Sequence, residues 1–520
     1  MSWLSAARPA AGPRAFDVSV KPFSVAVLSG LLTALCLPRP GLCLLAWFSL
    51  APLLGLWSGS APGRAFGTGW AAGLAFHGLA LYWIYPTCRF AGIGVPVALL
   101  AWSCLALFLG LAWGLAGAFG AWSTGTLPRP WRPWAWAMAW TALSVVWERW
   151  TPRLGADLLA YTQYRHLSLL QAGSLLGPHG LGFLIVAANA SLSQAWEDLD
   201  RGARPNPANP AVLLALLALA WAWGFGLLTL RAASAPWARI EILQPNIEQY
   251  RKWDEGFEEE IRRGFAELLS LPRPESPHLV VWPEAALPRW VEEGRDIPEA
   301  AEWSRRLGAF QVLGAVSRGP KGPHNSVFLV GPEGRVRGSY HKRELVPFGE
   351  YVPLRFLRRF IGILNQLGGL AAGEPLQPLW QTPLGPTAAG ICYEAVFPRW
   401  ARADAGRGAR LLVNVTNDGW YKDTWGPFQH FQTNVFRAIE NRVAVIRSGN
   451  TGISGVIDPW GVVTASLGLG ERGRLDAQLP LEDPFPRRSF YARHGDWLGL
   501  LCLLASLAIA GAKILRSGKT

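Results

Sequence analysis

Three ionisable residues in this 520-residue chain stand at or just after the end of a strand-like run: Glu284 in HLVVWPEAALP, Lys342 in YHKRELVPFGEYVPL and Cys392 in TAAGICYEAVFP. A carboxylate, an ammonium and a thiol are the parts of a nucleophilic acyl transfer: base, charge stabiliser and nucleophile. The cysteine distribution singles out Cys392. Cys36, Cys43, Cys88, Cys104 and Cys502 lie within or beside charge-free apolar runs, and Cys392 does not. It has no partner for a structural disulfide and no zinc-binding spacing. Taken singly, each residue has a plain alternative: a buried small hydrophobe for Cys392, a helix N-terminal carboxylate for Glu284, a solvated cation for Lys342.

The elements that must hold these residues are legible around them. From about Ala238 to Arg488, short apolar runs alternate with charged, helix-patterned ones. Strands are predicted at Ile240 to Leu243, His278 to Trp282, Val312 to Val316, Ser326 to Val330, Arg335 to Tyr340, Thr387 to Cys392, Leu411 to Thr416 and Val443 to Arg447. Helices are predicted at Asp254 to Leu271, Glu299 to Leu307 and Phe428 to Glu440. This alternation predicts an α/β domain with a mixed sheet. Catalytic side chains collect at strand ends of such sheets, where the scaffold behind them is rigid.

The first 235 residues have another texture. Runs free of Asp, Glu, Lys and Arg extend over Pro22 to Pro38, Pro40 to Gly63, Ala65 to Cys88, Phe90 to Pro128, Pro133 to Trp147, His166 to Trp196 and Pro205 to Leu230. A further run, Trp497 to Ala512, lies near the C-terminus. About 18 apolar residues suffice to cross a bilayer, so about eight crossings are expected. The domain organisation predicted is a transmembrane helical domain over 1–235, an extracytoplasmic catalytic domain over 236–488, and a last transmembrane helix with a short cytoplasmic tail over 489–520. Lys and Arg in the short loops favour both termini inside, with the large soluble segment beyond the cytoplasmic membrane.

The formal charge of +13 is spread through loops and is not gathered in one basic run, which argues for anionic lipid and against nucleic acid. Twenty-eight tryptophans, many flanking the apolar runs, fit a membrane-interface belt. No Walker loop, no H-E-x-x-H and no G-x-S-x-G occurs, so no cofactor or metal is implied and a serine hydrolase lacks support. A transporter would place ionisable residues within the spans; His77 and His179 are the exceptions, each read as a satisfied core histidine.

In combination, WPE, then HK followed by VPFGEYVP, then ICYE resembles the nitrilase superfamily, whose signature Glu, Lys and Cys come from separate strand ends of an αββα sandwich. A nitrilase-like domain set between seven spans and one is similar to the apolipoprotein N-acyltransferases. The motifs are QPNIEQYRKWDE, WPEAALP, HKRELVPFGEYVPL, CYEAVFP, NVTNDGWY and GPFQHFQTNVFRAIENRVAVIRSGNTGISGVIDPWG. The resemblance implies Cys392 as nucleophile, Glu284 as general base and Lys342 as electrostatic stabiliser. It implies Glu350 and Glu394 as orienting groups and Trp253 and Trp420 as lid or substrate contacts; Tyr393 is a further matching position beside the nucleophile, and its N–H is read as an oxyanion donor. The implied donor is a phospholipid, phosphatidylethanolamine, and the implied acceptor the N-terminal diacylglyceryl-cysteine of an apolipoprotein, joined through a cysteine thioester in a ping-pong scheme. The nearest rival is a membrane-tethered amidase using the same residues with water as acceptor. The apolar stretch from Ile361 to Gly373 is expected to be a membrane-facing loop.

Overall fold

A computed structural model describes residues 22–150, 157–230, 237–253, 255–293, 295–319, 322–352, 369–480 and 488–517. Most of the stretch from Ile361 to Gly373 lies outside the described residues.

Among the described residues, thirteen strands form two sheets. The first contains β1 (Trp237–Gln244), β2 (Leu279–Val281), β3 (Trp290–Glu292), β4 (Phe310–Gly319), β5 (Gly322–Val330), β6 (Val336–His341) and β13 (Gly473–Pro480), in the order β13-β1-β2-β4-β5-β6 with β3 on β4. The second contains β7 (Trp380–Thr382), β8 (Gly385–Ile391), β9 (Leu411–Thr416), β10 (Ala444–Gly449), β11 (Ser454–Ile457) and β12 (Val463–Leu467), ordered β12-β11-β10-β9-β8-β7. Strands β1, β2 and β4 run parallel, as do β8, β9 and β10. Parallel strands are covered on both faces and so read as continuous Val, Ile and Leu runs. That explains why LVV, LLVNV and AVI stand out in the sequence.

The inner faces of the sheets share one core, in which Ile240, Ile242, Val281 and Val312 meet Ile391, Val413, Val415 and Ile446. Outside the first sheet, Ile261, Phe265 and Leu269 of helix Glu258–Ser270 and Trp303 of helix Pro298–Leu307 cover Leu243, Val280 and Leu313. Outside the second, Val435, Phe436 and Ile439 of helix Gly426–Asn441 pack on Val445 and Ile457. The same cluster takes in Trp83, Leu169 and Leu170 of the N-terminal part. Helix Gly426–Asn441 is therefore the layer between the second sheet and the apolar N-terminal part.

Among the described residues, three helices are long and apolar enough to cross a membrane: Val95–Thr124, Ala208–Leu230 and Trp497–Arg516. A fourth span is possible if Leu167–Leu176 and Gly180–Asp200, bent by 111°, act as one. Several apolar runs that suggest a crossing each fold into shorter pieces. Pro22 to Pro38 yields the helix Pro22–Ala34, and Pro40 to Gly63 breaks into the 3-10 turn Cys43–Trp47 and the helix Ala51–Trp57. Charge-free length alone misses the interruptions that proline and glycine introduce. Packing among the long helices is close: a Cβ on Gly73 would stand 2.8 Å from Gly110 Cα. Small residues are what permit such helix contacts in an apolar setting. His77 and His179 are buried and partnered, His77 Nδ1 lying 2.8 Å from the Gly73 carbonyl and His179 Nε2 2.9 Å from Glu148.

Candidate active site

Glu284 lies just beyond β2, in a turn whose next residue, Ala285, has φ of 44°. The turn rests directly on β4 at Gly314, where a Cβ would come within 2.4 Å of the Pro283 carbonyl and 2.7 Å of Glu284 Cα. The Ala286 N–H donates to the Gly314 carbonyl at 2.7 Å. Only glycine leaves the room for this approach. Asn325, on the neighbouring β5, donates to Glu284 Oε1 at 2.7 Å, and the buried Lys252 ammonium donates to the Glu284 carbonyl at 2.6 Å.

Lys342 follows β6, and its N–H is held by the Asn325 carbonyl at 2.9 Å. Its ammonium is 1 % exposed, 2.8 Å from Glu350 Oε1 and 3.8 Å from Glu284 Oε1. Burial would pull its pKa down, but the Glu350 and Glu284 carboxylates outweigh that and hold it above the usual lysine range. The side chain therefore carries its charge. Glu350 also accepts from Asn325 at 3.1 Å and from the Val346 N–H at 2.8 Å, so one carboxylate orders the lysine and the loop that follows it.

Cys392 terminates β8 and opens the 3-10 turn Cys392–Val396 with φ of 49°, a left-handed conformation that a side chain rarely adopts. Such backbone collects where chemistry is done. Burial and the Glu284 carboxylate push the thiol up to about 12, although Lys342 and Thr416 act to lower it. The lysine thus favours the thiolate, as its proximity suggests, but does not prevail. At neutral pH the sulfur is held as the thiol, so it would act as a nucleophile only with a base beside it.

Glu394 stitches the Lys342 and Cys392 loops together. It accepts from the N–H groups of Arg343 at 2.6 Å, Glu344 at 3.2 Å and Ile391 at 2.7 Å, and from the Tyr340 hydroxyl at 2.7 Å. Tyr393 is buried in the core shared by the sheets and meets Phe397 edge-on. The Trp420 carbonyl accepts from Thr87 at 3.2 Å, and its ring lies 6.0 Å from Phe90, both on the apolar N-terminal part. Trp253 ends the 3-10 turn Arg251–Trp253, and its side chain is outside the described residues.

Residues 249–484 match the carbon-nitrogen hydrolase family, and residues 29–191 match the apolipoprotein N-acyltransferase N-terminal domain. An apolipoprotein N-acyltransferase of Geobacter metallireducens is 34% identical over 505 residues, covering 94% of each chain. The chain belongs to the apolipoprotein N-acyltransferase family. Named apolipoprotein N-acyltransferases of Agrobacterium fabrum (33% identical, 88% of this chain and 89% of that one) and Caulobacter vibrioides (31%, 95% of each) are also similar along their length. The chain is accordingly an acyltransferase of the nitrilase superfamily, concerned with lipoprotein N-acylation.

The candidate site includes residues that sequence reasoning did not single out. Gly314, Asn325 and Lys252 act on Glu284 or Lys342 from separate elements; no local motif marks Gly314 or Asn325, and Lys252 is one of several polar residues within QPNIEQYRKWDE. His430 and Asp418 are a second case: with Cys392 they form a group whose potential ligand atoms lie within 4.8 Å of one another. The donors do not suit a cation. Asp418 Oδ2 accepts from Arg447 at 2.6 Å, and that guanidinium also stands 3.2 Å from His430 Nδ1, so the positive charge is already supplied. Burial would raise the Asp418 carboxyl, but His430 and Arg447 outweigh it and hold it below the usual range. The group also has the composition of a Cys-His-Asp triad. However, His430 Nε2 is 2.9 Å from the Cys392 carbonyl, which can only accept, so this nitrogen carries a proton and cannot take one from the thiol.

Proposed function

We propose that this acyltransferase moves an acyl chain from a phospholipid, phosphatidylethanolamine, to the α-amino group of a diacylglyceryl-cysteine at the N-terminus of an apolipoprotein, by way of a thioester on Cys392. The observation that carries the reading is the buried Lys342 ammonium 3.8 Å from the Glu284 carboxylate, with both charges acting on the Cys392 thiol. Glu284 takes the thiol proton as sulfur attacks the ester carbonyl. The Lys342 ammonium and the Tyr393 N–H receive the oxyanion. The S–C bond forms, the C–O bond breaks, and Glu284 returns the proton to the departing lysophospholipid.

In the second half the neutral amine attacks the thioester, Glu284 takes a proton from nitrogen, and the thiol is reprotonated as the C–S bond breaks. The scheme is ping-pong. An amide is more stable than a thioester, so the transfer needs no energy source. Removing one oxyanion donor typically costs about 3 to 4 kcal/mol in the transition state.

The site is read as an αββα nitrilase sandwich held at lipid depth, an inference supported by the two sheets' common core and by the contacts of Trp420 with the apolar part. We place the protein in the cytoplasmic membrane with about eight crossings, the domains divided near residues 235 and 488, and the catalytic domain on the periplasmic side. Trp253 and Trp420 are assigned to the lid or to substrate contact. Incubation with phosphatidylethanolamine and a diacylglyceryl lipopeptide should add one acyl mass to the lipopeptide. Release of free fatty acid with no acylated peptide would favour a tethered amidase instead.

A further inference from the structure

The carbonyl of Cys392 is held by an unusually large buried apparatus. His430 Nε2 donates to it at 2.9 Å and Asn414 Nδ2 approaches at 3.4 Å. The His430 ring is fixed in turn by Asp418 Oδ1, 2.8 Å from Nδ1, and Asp418 by Arg447 at 2.6 Å and Thr416 at 3.0 Å. Arg447 closes the circuit by donating to Asn414 Oδ1 at 2.9 Å. Every side chain in this ring is buried, and Asp418 and Arg447 are 0 % exposed. Burying charged groups is costly, and one carbonyl could be satisfied by a single amide.

A trans peptide is planar, so its carbonyl and its N–H point in opposite directions as one rigid unit. Fixing the Cys392 carbonyl therefore fixes the Tyr393 N–H as well. The need for fixing is specific, because Cys392 sits at φ of 49°, outside the conformations that the backbone holds unaided. Donors on the carbonyl also polarise the peptide and strengthen its N–H as a donor.

We propose that His430 is a positioning residue of the oxyanion site, acting through the Cys392–Tyr393 peptide and not on the sulfur. The proposal rests on the reading of Cys392 as the nucleophile and of the Tyr393 N–H as an oxyanion donor. It assigns Asp418 and Arg447 to holding the imidazole, and it makes helix Gly426–Asn441 part of the catalytic apparatus. That helix is docked to the apolar domain at the adjacent residue, where Gln429 accepts from Trp83 at 3.1 Å and donates to the Ala80 carbonyl at 3.0 Å.

The test compares two reactions of one thiol. Acylation by phosphatidylethanolamine develops an oxyanion; alkylation by iodoacetamide occurs at a saturated carbon and develops none. In the full-length protein, His430→Leu should lower the single-turnover acylation rate roughly a hundredfold or more, while alkylation stays within about threefold. His430→Gln, which retains an N–H donor, should recover at least about tenfold of the loss, and the shape of the acylation pH profile should be unchanged. An acylation rate unchanged in both variants, or alkylation that moves as far as acylation, would overturn the role of His430. Failure of wild-type Cys392 to take label at all would instead overturn the thioester reading, and this proposal with it.

Discussion

Glu394 accepts a 2.6 Å hydrogen bond from the N–H of Arg343, the residue after Lys342, although Glu394 follows a strand of one sheet and Arg343 a strand of the other. The same carboxylate takes the N–H of Ile391, the residue before Cys392. One buried side chain thus ties the loop that carries the ammonium to the loop that carries the thiol.

Glu394→Gln keeps the shape but offers one accepting oxygen where two are used, and turns an amide NH2 toward backbone donors. A buried mismatch of this kind costs about 1 to 3 kcal/mol. The expected result is a lower melting temperature together with a fall in acyl transfer of about a hundredfold, measured side by side in detergent.

Opposite effects on the thiol are expected from the two charges beside it. The Glu284 carboxylate raises the Cys392 pKa and the Lys342 ammonium lowers it. Glu284→Gln should therefore speed iodoacetamide alkylation at fixed pH while abolishing acyl transfer, and Lys342→Met should slow alkylation. In the wild type, with the thiol near 12, alkylation should climb about tenfold per pH unit up to pH 10 with no plateau.

Lys252 is buried, and desolvation brings its pKa down to about 8 despite the opposing influence of Glu284 and Cys392. A lysine depressed on folding leaves the folded state with fewer protons than the unfolded one between about pH 8 and 10.5. Wild-type stability therefore gains from this group as pH rises through that window, on the order of 3 kcal/mol in all. The melting temperature of wild type relative to Lys252→Met should rise from pH 7.5 to pH 10; a constant difference would contradict the assignment.

Gly314→Ala places a methyl group against the Pro283 carbonyl and Glu284 Cα. Overpacking costs about 1 to 3 kcal/mol, and here the displaced residue is the proposed base. Thioester formation should fall by more than about a hundredfold, with lipid binding in a pull-down little changed.

How much of this was legible follows from where each residue's partners lie. Glu284 and Cys392 each follow an apolar strand and Lys342 follows the more polar strand VRGSYH, so strand ends marked their positions. Glu350 and Glu394 stood out only through family resemblance, because their partners, the Lys342 and Asn325 side chains for Glu350 and the Arg343 and Glu344 N–H groups for Glu394, are brought to them by the fold. Asn325 looks like any polar residue on a strand until β5 is set beside β2 and β4. His430 is 38 residues from the carbonyl it holds, and helical spacing alone does not distinguish it from its neighbours. Strands β12 and β13, half exposed, carry little apolar signal. The crossing count was read from charge-free length, which does not register a break such as that between Cys43–Trp47 and Ala51–Trp57.

The most direct test of the central claim is to incubate purified protein with phosphatidylethanolamine carrying a labelled acyl chain, without acceptor, beside Cys392→Ala. Hydroxylamine-sensitive label at Cys392, absent from the variant and discharged by a diacylglyceryl lipopeptide, is the expected result. Equal labelling of Cys392→Ala, or acylation of the lipopeptide by that variant, would contradict a thioester on this cysteine.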